Sequence, residues 1–518
     1  MNEIVIFSEI KVLILTIIGT LFFTRILSKK KISKEKAKAF FIIYIGFIFS
    51  LVALYYLKEI FNPGHLFMVI SIFFSIFSII IFKKLKVYDN KYGIFFALLS
   101  ILAVYLGYIS YTPFFTRQHD SRSFINYENG GHFGYIGYIF FNNHLPTGSP
   151  KDFWCFYNPP LFYIISAIFI KIQTFFSFTI EQALENTQIL SVLYTTIFII
   201  YVYKILKEIN IKKSIIFLLL FVGLSPAIII MSGSLNNDIL SIMLSTIAIF
   251  YSIRWYKTDY LTDLIKIAFS IGFAIMTKIS SALIAVAIAV IFIIKVIQNR
   301  KDIVKYIKYF SLFALISLPI GLWFPIKNLV LYDIPLTYVQ SVDADNDANI
   351  SNYSVLERFF SISSGQLDTV NINMSKENAE YNLFITTLKS YIVDEQIDYT
   401  NNIILKIVVP LIFICSIVIS ILFIINLVYI FKNYKEINNN WILFFILLLV
   451  LEIISYLKFC FDYPFTFTMN FRYIVPTLIS YSAITGIASD SNKKIFYLNT
   501  LFIIIFSILS ILIFTNIC

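Results

Sequence analysis

The sequence contains little charge. Only 14% of its 518 residues are Asp, Glu, Lys or Arg, whereas soluble globular proteins average about 25%. Hydrophobic residues make up 59% of the chain. A soluble globular protein is therefore excluded, and the composition predicts a membrane protein that crosses the bilayer many times. At about 20 apolar residues per spanning helix, the chain can supply a dozen or more spans and one or two large loops.

The sequence also has few cysteines and lacks the phosphate-binding motifs of soluble enzymes. We find no P-loop, no dinucleotide fingerprint and no internal repeat. The cysteines show no CxxC pair and no metal-ligand spacing, so neither a disulfide framework nor a structural zinc site is indicated; they are Cys155, Cys415, Cys460 and Cys518. The excess of 41 Lys and Arg over 30 Asp and Glu lies in short clusters between apolar runs. This arrangement indicates cytoplasmic loops and excludes a nucleic-acid partner.

The apolar runs predict an all-α polytopic fold with about fourteen spans. The runs lack the period-two alternation of a transmembrane barrel. The chain opens Met1-Asn2-Glu3 without a basic region, so the first run is predicted to be a retained span and not a cleaved signal peptide. The predicted spans are 4–27, 38–57, 66–82, 92–111, 188–204, 214–231, 238–253, 264–279, 280–297, 305–326, 403–430, 440–458, 472–488 and 495–515.

The basic clusters predict which loops face the cytoplasm, because short loops rich in Lys and Arg stay inside. About half of the 41 Lys and Arg residues fall in four alternate loops, around 25–38, 83–91, 204–213 and 295–308. Two long loops belong to the other set, 112–187 and 327–402, and are predicted to lie outside. The second of these could recognise an acceptor, form a lid or be solvated filler.

The first outer loop is predicted to contain two helices at the membrane surface, at roughly 123–142 and 159–177. The second is apolar enough to cross, but a crossing there would invert the side of every later loop, including the basic ones. We therefore expect it to lie in the outer interface or to re-enter. Three aromatic residues are predicted to anchor it there as belt residues: Trp154, Phe156 and Tyr157.

These assignments divide the chain into four parts. Residues 1–91 form three N-terminal spans of unknown role, and residues 92–326 form a core that includes the outer loop 112–187. Residues 327–402 form the second outer loop, and residues 403–518 form the C-terminal spans.

Unusual polar residues converge on the predicted outer side: Arg117, His119, Asp120, Glu128, His132, Asp238, Lys278 and Arg472. An ionisable group beside apolar spans costs a few kcal/mol unless it is paired or solvated, so such a cluster is a functional-site hypothesis. Two alternatives stay open here. Lys278 and Arg472 could be snorkelling residues, whose long side chains place the charge at the membrane–water interface. Asp120 and Asp238 could cap the helices that follow them.

Several short blocks carry a family resemblance: Gln118-His119-Asp120, Gly131-His132-Phe133-Gly134-Tyr135-Ile136, Phe156-Tyr157-Asn158-Pro159-Pro160-Leu161, Ser232-Gly233-Ser234-Leu235-Asn236-Asn237-Asp238, Thr277-Lys278-Ile279-Ser280 and Phe471-Arg472-Tyr473-Ile474-Val475-Pro476. In order and outer placement they resemble the GT-C superfamily of glycosyltransferases. More narrowly, they are similar to its family-39 branch, the protein O-mannosyltransferase and aminoarabinose-transferase type. The resemblance covers roughly residues 92–490.

The resemblance implies a GT-C-like helical bundle that transfers a sugar from a polyprenyl-phosphate donor. The acceptor would be a protein, a lipid or a wall glycan on the extracytoplasmic face of the plasma membrane. Asp120 matches the family's catalytic acidic residue and would act as the general base, and one-step displacement would invert the anomeric centre. Glu128 is expected to take part in catalysis together with Asp120. Lys278 and Arg472 are expected to bind the donor phosphate. The expected substrate-binding residues are His119, His132, Tyr157, Asn158 and Asp238.

The resemblance leaves metal binding open. Many members carry two adjacent acidic residues in this loop, whereas this chain has His119-Asp120. A divalent cation could be held by four residues together: His119, Asp120, His132 and Asp238. A hydrogen-bonding role for the loop histidines is the alternative. No other cofactor is implied.

Three other classes of protein share parts of this pattern. A transporter or flippase for a lipid-linked or small solute would have as many spans, but its polar residues would lie near the bilayer midplane in paired, broken helices. A glycan polymerase or ligase would rely on Arg and His in its large late loop, and loop 327–402 has one Arg and no His. A non-catalytic scaffold would leave the ordered blocks unexplained.

Overall fold

The computed structural model describes residues 33–58, 60–115, 123–127, 130–375, 379–394 and 402–517. Within these ranges the chain is helical, with no strand and one isolated bridge between Asn349 and Phe465. The helices are α1 (Lys34–Leu57), α2 (Pro63–Lys84), α3 (Asn90–Tyr111), α4 (Gly131–Asn142), α5 (Leu161–Phe175), α6 (Ile180–Glu208), α7 (Ile215–Gly223), α8 (Pro226–Met231), α9 (Asp238–Thr258), α10 (Leu261–Ile275), α11 (Ala282–Gln298), α12 (Ile303–Tyr332), α13 (Val355–Phe360), α14 (Gly365–Asp368), α15 (Leu383–Ile392), α16 (Ile403–Lys432), α17 (Tyr434–Ile437), α18 (Ile442–Asp462), α19 (Thr477–Ser491) and α20 (Lys493–Phe514).

Ten helices in the described ranges are long and apolar enough to cross a membrane. They are α1, α2, α3, α6, α9, α11 with its preceding turn, α12 with its preceding turn, α16, α18 and α20. The prediction of an all-α polytopic membrane protein is confirmed. The count of fourteen is not confirmed.

The four remaining predicted spans have different outcomes. The run 4–27 lies outside the described residues. The run 214–231 is broken into α7 and α8. In a continuous helix Pro226 would have no N–H to donate, and its ring would clash with the carbonyl of Val222. The predicted span 264–279 ends early as α10, at Ile275, and 472–488 begins late as α19, after Pro476. Lys278 therefore lies on extended backbone after α10, and Arg472 lies in a short 3-10 helix before α19.

The first outer loop differs from its prediction in two respects. Helix α4 begins at Gly131 and not near residue 123. The segment before it packs back on the helix, where the carbonyl of Phe124 leaves no room for a Cβ at Gly137. Phe156 is not a belt residue at the membrane surface. It is buried and stacks on Tyr135 with ring centroids 4.5 Å apart, so its ring contributes to the protein core.

The boundary predicted at 326/327 falls inside a helix, because α12 continues to Tyr332 with Pro319 and Pro325 in its interior. The second outer loop contains three short helices, α13, α14 and α15. It is therefore a folded segment in its described part.

Small residues bring α2 and α3 into close contact. A Cβ at Gly64 would collide with Ser110 and with the carbonyl of Gly107, and a Cβ at Gly107 would collide with Met68. Because lipid tails are as apolar as the side chains, close approach of small residues is a main source of helix association in membranes. This contact attaches α2 to α3, which then packs against α6 and α7.

Polar side chains join the C-terminal helices. Asn426 of α16 donates to Asn499 of α20 at 3.4 Å and to Thr485 of α19 at 3.3 Å. Asn499 donates in return to Asn426 and to Ser489. Such interhelical hydrogen bonds satisfy polar groups that lipid cannot, and they contribute of order 1 kcal/mol each. They fix α19, whose preceding segment carries Arg472.

The two ends of α9 define opposite ends of the helix bundle. At its C-terminal end, Lys257 pairs with Glu208. At the same end of the bundle, the carboxylate of Asp490 accepts the backbone N–H groups of Lys212, Lys213 and Ser214, at 2.6–3.1 Å. The described parts of the basic loops lie at this end. The N-terminal end of α9, at Asp238, is therefore on the far side of the bundle from them.

Candidate functional site

Three charged side chains meet at the N-terminal end of α9. Asp238 is the first residue of that helix, and its side chain is 5% exposed. Lys278 forms an ion pair with one carboxylate oxygen of Asp238. The Nε of Arg472 lies 3.8 Å from the other. The structure thus brings together three of the residues predicted from sequence, which are separated by 40 and 194 positions in the chain.

The helix ends place Asp238 and Lys278 together. Asn236 accepts the backbone N–H of Asp238 at 3.1 Å, which turns the chain into α9. Asn237 donates its side-chain amide to the carbonyl of Thr277 at 2.9 Å. This bond ties the start of α9 to the segment after α10, where Lys278 has extended backbone angles. The carboxylate of Asp238 is directed to the cations, so the capping alternative for this residue is not supported.

Arg472 is held by a separate set of contacts. Its backbone N–H donates to the side chain of Asn470 at 2.9 Å, and its guanidinium donates to the Tyr473 hydroxyl at 2.9 Å. The ring of Tyr473 also lies under Lys278, whose ammonium is 4.8 Å from the ring centroid. Both cations therefore lie close to the ring of Tyr473 as well as to the carboxylate of Asp238. Neither is a charge that reaches out to an interface, since the side chains are only 21% and 14% exposed.

The charged cluster lines a cavity of about 740 Å³. The predicted substrate-binding residues His132, Tyr157 and Asn158 line the same cavity. The second outer loop contributes residues 336–340, Val342, Asn346 and Met374 to the lining of this cavity. The lid role of this loop stays a prediction.

His132 and Asn158 are fixed by neighbouring groups. The Nδ1 of His132 lies 2.7 Å from the hydroxyl of Tyr163. Burial holds the pKa of Tyr163 well above its ordinary value, so this hydroxyl keeps its proton and can donate it to the imidazole. Asn158 donates to the carbonyl of Cys155 at 3.0 Å and accepts from Asn237. Both side chains are therefore held in place before any substrate arrives.

Other predicted site residues lie outside the described residues: Arg117, His119, Asp120 and Glu128. The proposed catalytic pair and half of the proposed metal ligands are among them, so their roles stay predictions. Within the described part of the chain, no group of three or more His, Cys, Asp and Glu side chains comes together. Asp238 and His132 already have protein partners, Lys278 and Tyr163.

The comparison with protein families matches this region. Residues 157–323 fit the family described as dolichyl-phosphate-mannose-protein mannosyltransferase. This segment is a glycosyltransferase domain of the GT-C type. It contains Tyr157, Asn158, Asp238 and Lys278, so four of the predicted site residues that line the cavity belong to the matched segment. A search of the curated proteins found no match to the chain.

The cavity also contains residues that the sequence analysis did not single out. Tyr473 was part of a recognised block, but only the structure shows its ring against both cations. Glu452 of α18 lines the cavity too. It is the one acidic residue in the apolar run 440–458, and that isolation was a signal that could have identified it.

Proposed function

We propose that this membrane glycosyltransferase transfers a sugar from a polyprenyl-phosphate donor to an acceptor at the end of the bundle opposite the basic loops. The observation that carries the proposal is the pairing of Lys278 and Arg472 around the carboxylate of Asp238, in a cavity that the matched domain helps to line. Two cations and Asp238 leave one net positive charge there. A phosphodiester donor carries one negative charge and complements it.

The cations would act most strongly as the donor breaks. When the bond between the anomeric carbon and the phosphate oxygen breaks, the electron pair leaves with the phosphate, whose charge rises from −1 to −2. Groups that are already in place where charge develops stabilise the transition state more than the ground state. Arg472 offers a guanidinium fork suited to two phosphate oxygens, and Lys278 offers a point charge.

The acceptor hydroxyl must lose its proton as its oxygen bonds to the anomeric carbon. We propose that Asp120 takes this proton, as the resemblance implies, with Glu128 assisting. Attack opposite the departing phosphate inverts the anomeric centre in one step. The second outer loop would exclude water from the cavity during this step, because hydrolysis would otherwise compete with transfer.

Sidedness and sugar identity are part of the proposal. The basic loops lie at the opposite end of the bundle, so the positive-inside rule assigns the cavity to the extracytoplasmic face. The name of the matched family makes mannose the first sugar to test. The acceptor class, whether protein, lipid or wall glycan, is not specified by the proposal.

The test uses the purified full chain in nanodiscs, a panel of polyprenyl-phosphate sugars labelled in the sugar, and bacterial membranes as the source of acceptor. The panel contains mannose, glucose and aminoarabinose. We expect Asp120→Asn to lower transfer at least about 100-fold, the usual contribution of a general base, while donor binding is retained. Arg472→Ala should raise the donor KM about tenfold, because one charge-assisted phosphate contact is lost.

Lys458→Ala is the matched control, since Lys458 is an exposed cation on α18 paired only with Asp462. It should behave as the unsubstituted chain does. Full transfer by Asp120→Asn would remove Asp120 from the mechanism. An unchanged donor KM for Arg472→Ala would remove the phosphate role, and failure of the chain to consume any sugar in the panel would overturn the proposed function.

A further inference from the structure

A second acidic residue lies deeper in the same cavity. Glu452 of α18 lines the cavity and is 7% exposed. In the described part of the chain, neither a cation nor a hydrogen-bond donor contacts its carboxyl group. Isolated buried acids are costly in an apolar environment and are found in membrane helices mainly where function requires them. The role of Glu452 is not explained by the charged cluster around Asp238.

The helix register gives the depth of Glu452. Phe459, seven residues later on the same helix, contacts Tyr473 with ring centroids 5.0 Å apart and so lies at the level of Arg472. At 1.5 Å per residue, Glu452 is about 10 Å further into the membrane along α18. The cavity-lining residues of α18 are Glu452, Ser455, Tyr456 and Phe459. The last three follow Glu452 by three, four and seven residues, so all four lie on one face of the helix.

The facing helix carries a matching row of polar groups. Ser241 and Ser245 of α9 follow Asp238 at spacings of three and seven and also line the cavity. Ser455 of α18 lies between the two levels and lines it as well. The cavity therefore continues below the charged cluster as a slot between α9 and α18, defined by Ser241, Ser245, Glu452 and Ser455. We call it the inner slot.

We propose that the inner slot binds the sugar of the donor, with the carboxyl group of Glu452 accepting a hydrogen bond from a sugar hydroxyl or amino group. This inference rests on the proposed function, which assigns the donor phosphate to Lys278 and Arg472. A sugar is joined directly to that phosphate and carries several hydrogen-bond donors. The polyprenyl chain has none, so it cannot satisfy the Glu452 carboxyl group or the serine hydroxyls, although Ile242 and Ile284 also line the cavity.

Binding measurements on the full chain in nanodiscs test the inner slot. The probes are bare polyprenyl phosphate and the same lipid carrying mannose, glucose or aminoarabinose. We expect the unsubstituted chain to bind at least one sugar-bearing lipid more tightly than the bare lipid. Glu452→Ala should weaken binding of that lipid about tenfold, the loss of one hydrogen bond to a charged or strongly polar group, and leave the bare lipid unchanged.

Glu452→Gln distinguishes the two kinds of donor group. An amide oxygen still accepts from a hydroxyl, so this variant should keep the preference for mannose or glucose. It cannot pair with an ammonium group, so a preference for aminoarabinose should be lost. Asp462→Asn is the matched control, because Asp462 is an exposed carboxylate on the same helix and does not line the cavity.

The outcomes separate this inference from the proposed function. If Glu452→Ala binds every sugar-bearing lipid as tightly as the unsubstituted chain does, the inner slot is not the sugar site. Equal weakening of bare and sugar-bearing lipids would make Glu452 a structural residue, and a change only in the acceptor KM would assign the slot to the acceptor. Each of these three results overturns the inference about the inner slot but leaves the proposed phosphate site unaffected. If the unsubstituted chain binds no polyprenyl phosphate at all, both proposals fail.

Discussion

Asp238 acts as an internal counter-ion for two cations. Its carboxylate contacts Lys278 directly and lies 3.8 Å from Arg472. Without it, two positive side chains would face each other in a space that is largely removed from water. A buried charge that loses its partner is strongly destabilising, commonly by 3–5 kcal/mol. The site thus keeps its two cations in position through one carboxylate, while one positive charge stays available.

This arrangement predicts that Asp238→Asn destabilises the protein. We expect a loss of about 3 kcal/mol in the free energy of unfolding, because Lys278 and Arg472 then repel without compensation. Thermal unfolding in detergent would show it as a lower Tm, and a second substitution, Lys278→Met, should restore part of the loss. Asp462→Asn, which breaks an exposed pair worth at most about 1 kcal/mol, is the control. A Tm unchanged by Asp238→Asn would contradict the counter-ion role.

At the scale of single residues, composition and isolation were informative. Asp238, Lys278 and Arg472 were identifiable because each is an ionisable residue beside an apolar span, and the structure places them in one cluster. Their pairing was not predictable, since nothing in the local sequence specifies which distant charges meet. Phe156 was assigned to the membrane surface because an aromatic residue in a belt and one in a core have the same local pattern.

Among the elements, α15 is the support for the segment that carries Arg472. Ser390 of α15 accepts the backbone N–H of Phe471 at 2.8 Å, and Asp394 after the helix accepts from Asn470 at 3.2 Å. The helix itself is held by a buried pair between Lys389 and Glu380. Burial raises the pKa of Glu380, while the contact with Lys389 opposes this shift. The second outer loop therefore positions a cation as well as lining the cavity.

We predict that Ser390→Ala weakens donor binding without changing the catalytic rate at saturation. The backbone N–H of Phe471 would lose its acceptor, at a cost of about 1–3 kcal/mol for a polar group removed from water, and Arg472 would be held less well. Steady-state kinetics should show a several-fold higher donor KM with kcat retained. Ser364→Ala, an exposed serine of the same loop, is the control. If both variants have the KM of the unsubstituted chain, α15 does not position Arg472.

The apolar runs predicted where helices occur, but they did not predict where several of these helices begin and end. The breaks at Ser225-Pro226, after Ile275 and before Thr477 interrupt runs that are mainly apolar. Hydropathy measures the transfer of side chains and is insensitive to a proline or an unwound turn. Two of these three interruptions place Lys278 and Arg472 beside the cavity, Lys278 on extended backbone and Arg472 in a short 3-10 helix.

The whole molecule separates a basic end from a charged cavity. Lys212 and Lys213 lie at the end where Asp490 binds the start of α7. The cavity and the second outer loop lie at the opposite end of α9. The separation spans the length of a helix that is long enough to cross a membrane. The molecule therefore presents its proposed substrate site to one side of the membrane only.

The orientation of the whole molecule can be tested by labelling. We predict that an Asp345→Cys variant, at an exposed position of the second outer loop, reacts with a membrane-impermeant maleimide in intact cells. Lys213→Cys, exposed at the basic end, should react only after the membrane is permeabilised. A Cys518→Ala chain provides the background, since the other three cysteines, Cys155, Cys415 and Cys460, are buried. Labelling in the reverse order would place the cavity in the cytoplasm and contradict the proposed sidedness.

The class of protein followed from the sequence alone, because transfer of apolar side chains into lipid depends on composition and run length and not on neighbours. The resemblance to GT-C glycosyltransferases was also visible in the sequence, because it depends on the order of short polar blocks. The family match at 157–323 confirms that type of domain. Only the tertiary structure decided which charges meet, which residues of the second outer loop line their cavity and where Glu452 lies. These features depend on contacts between residues far apart in the chain, and such contacts are set by packing of the whole bundle.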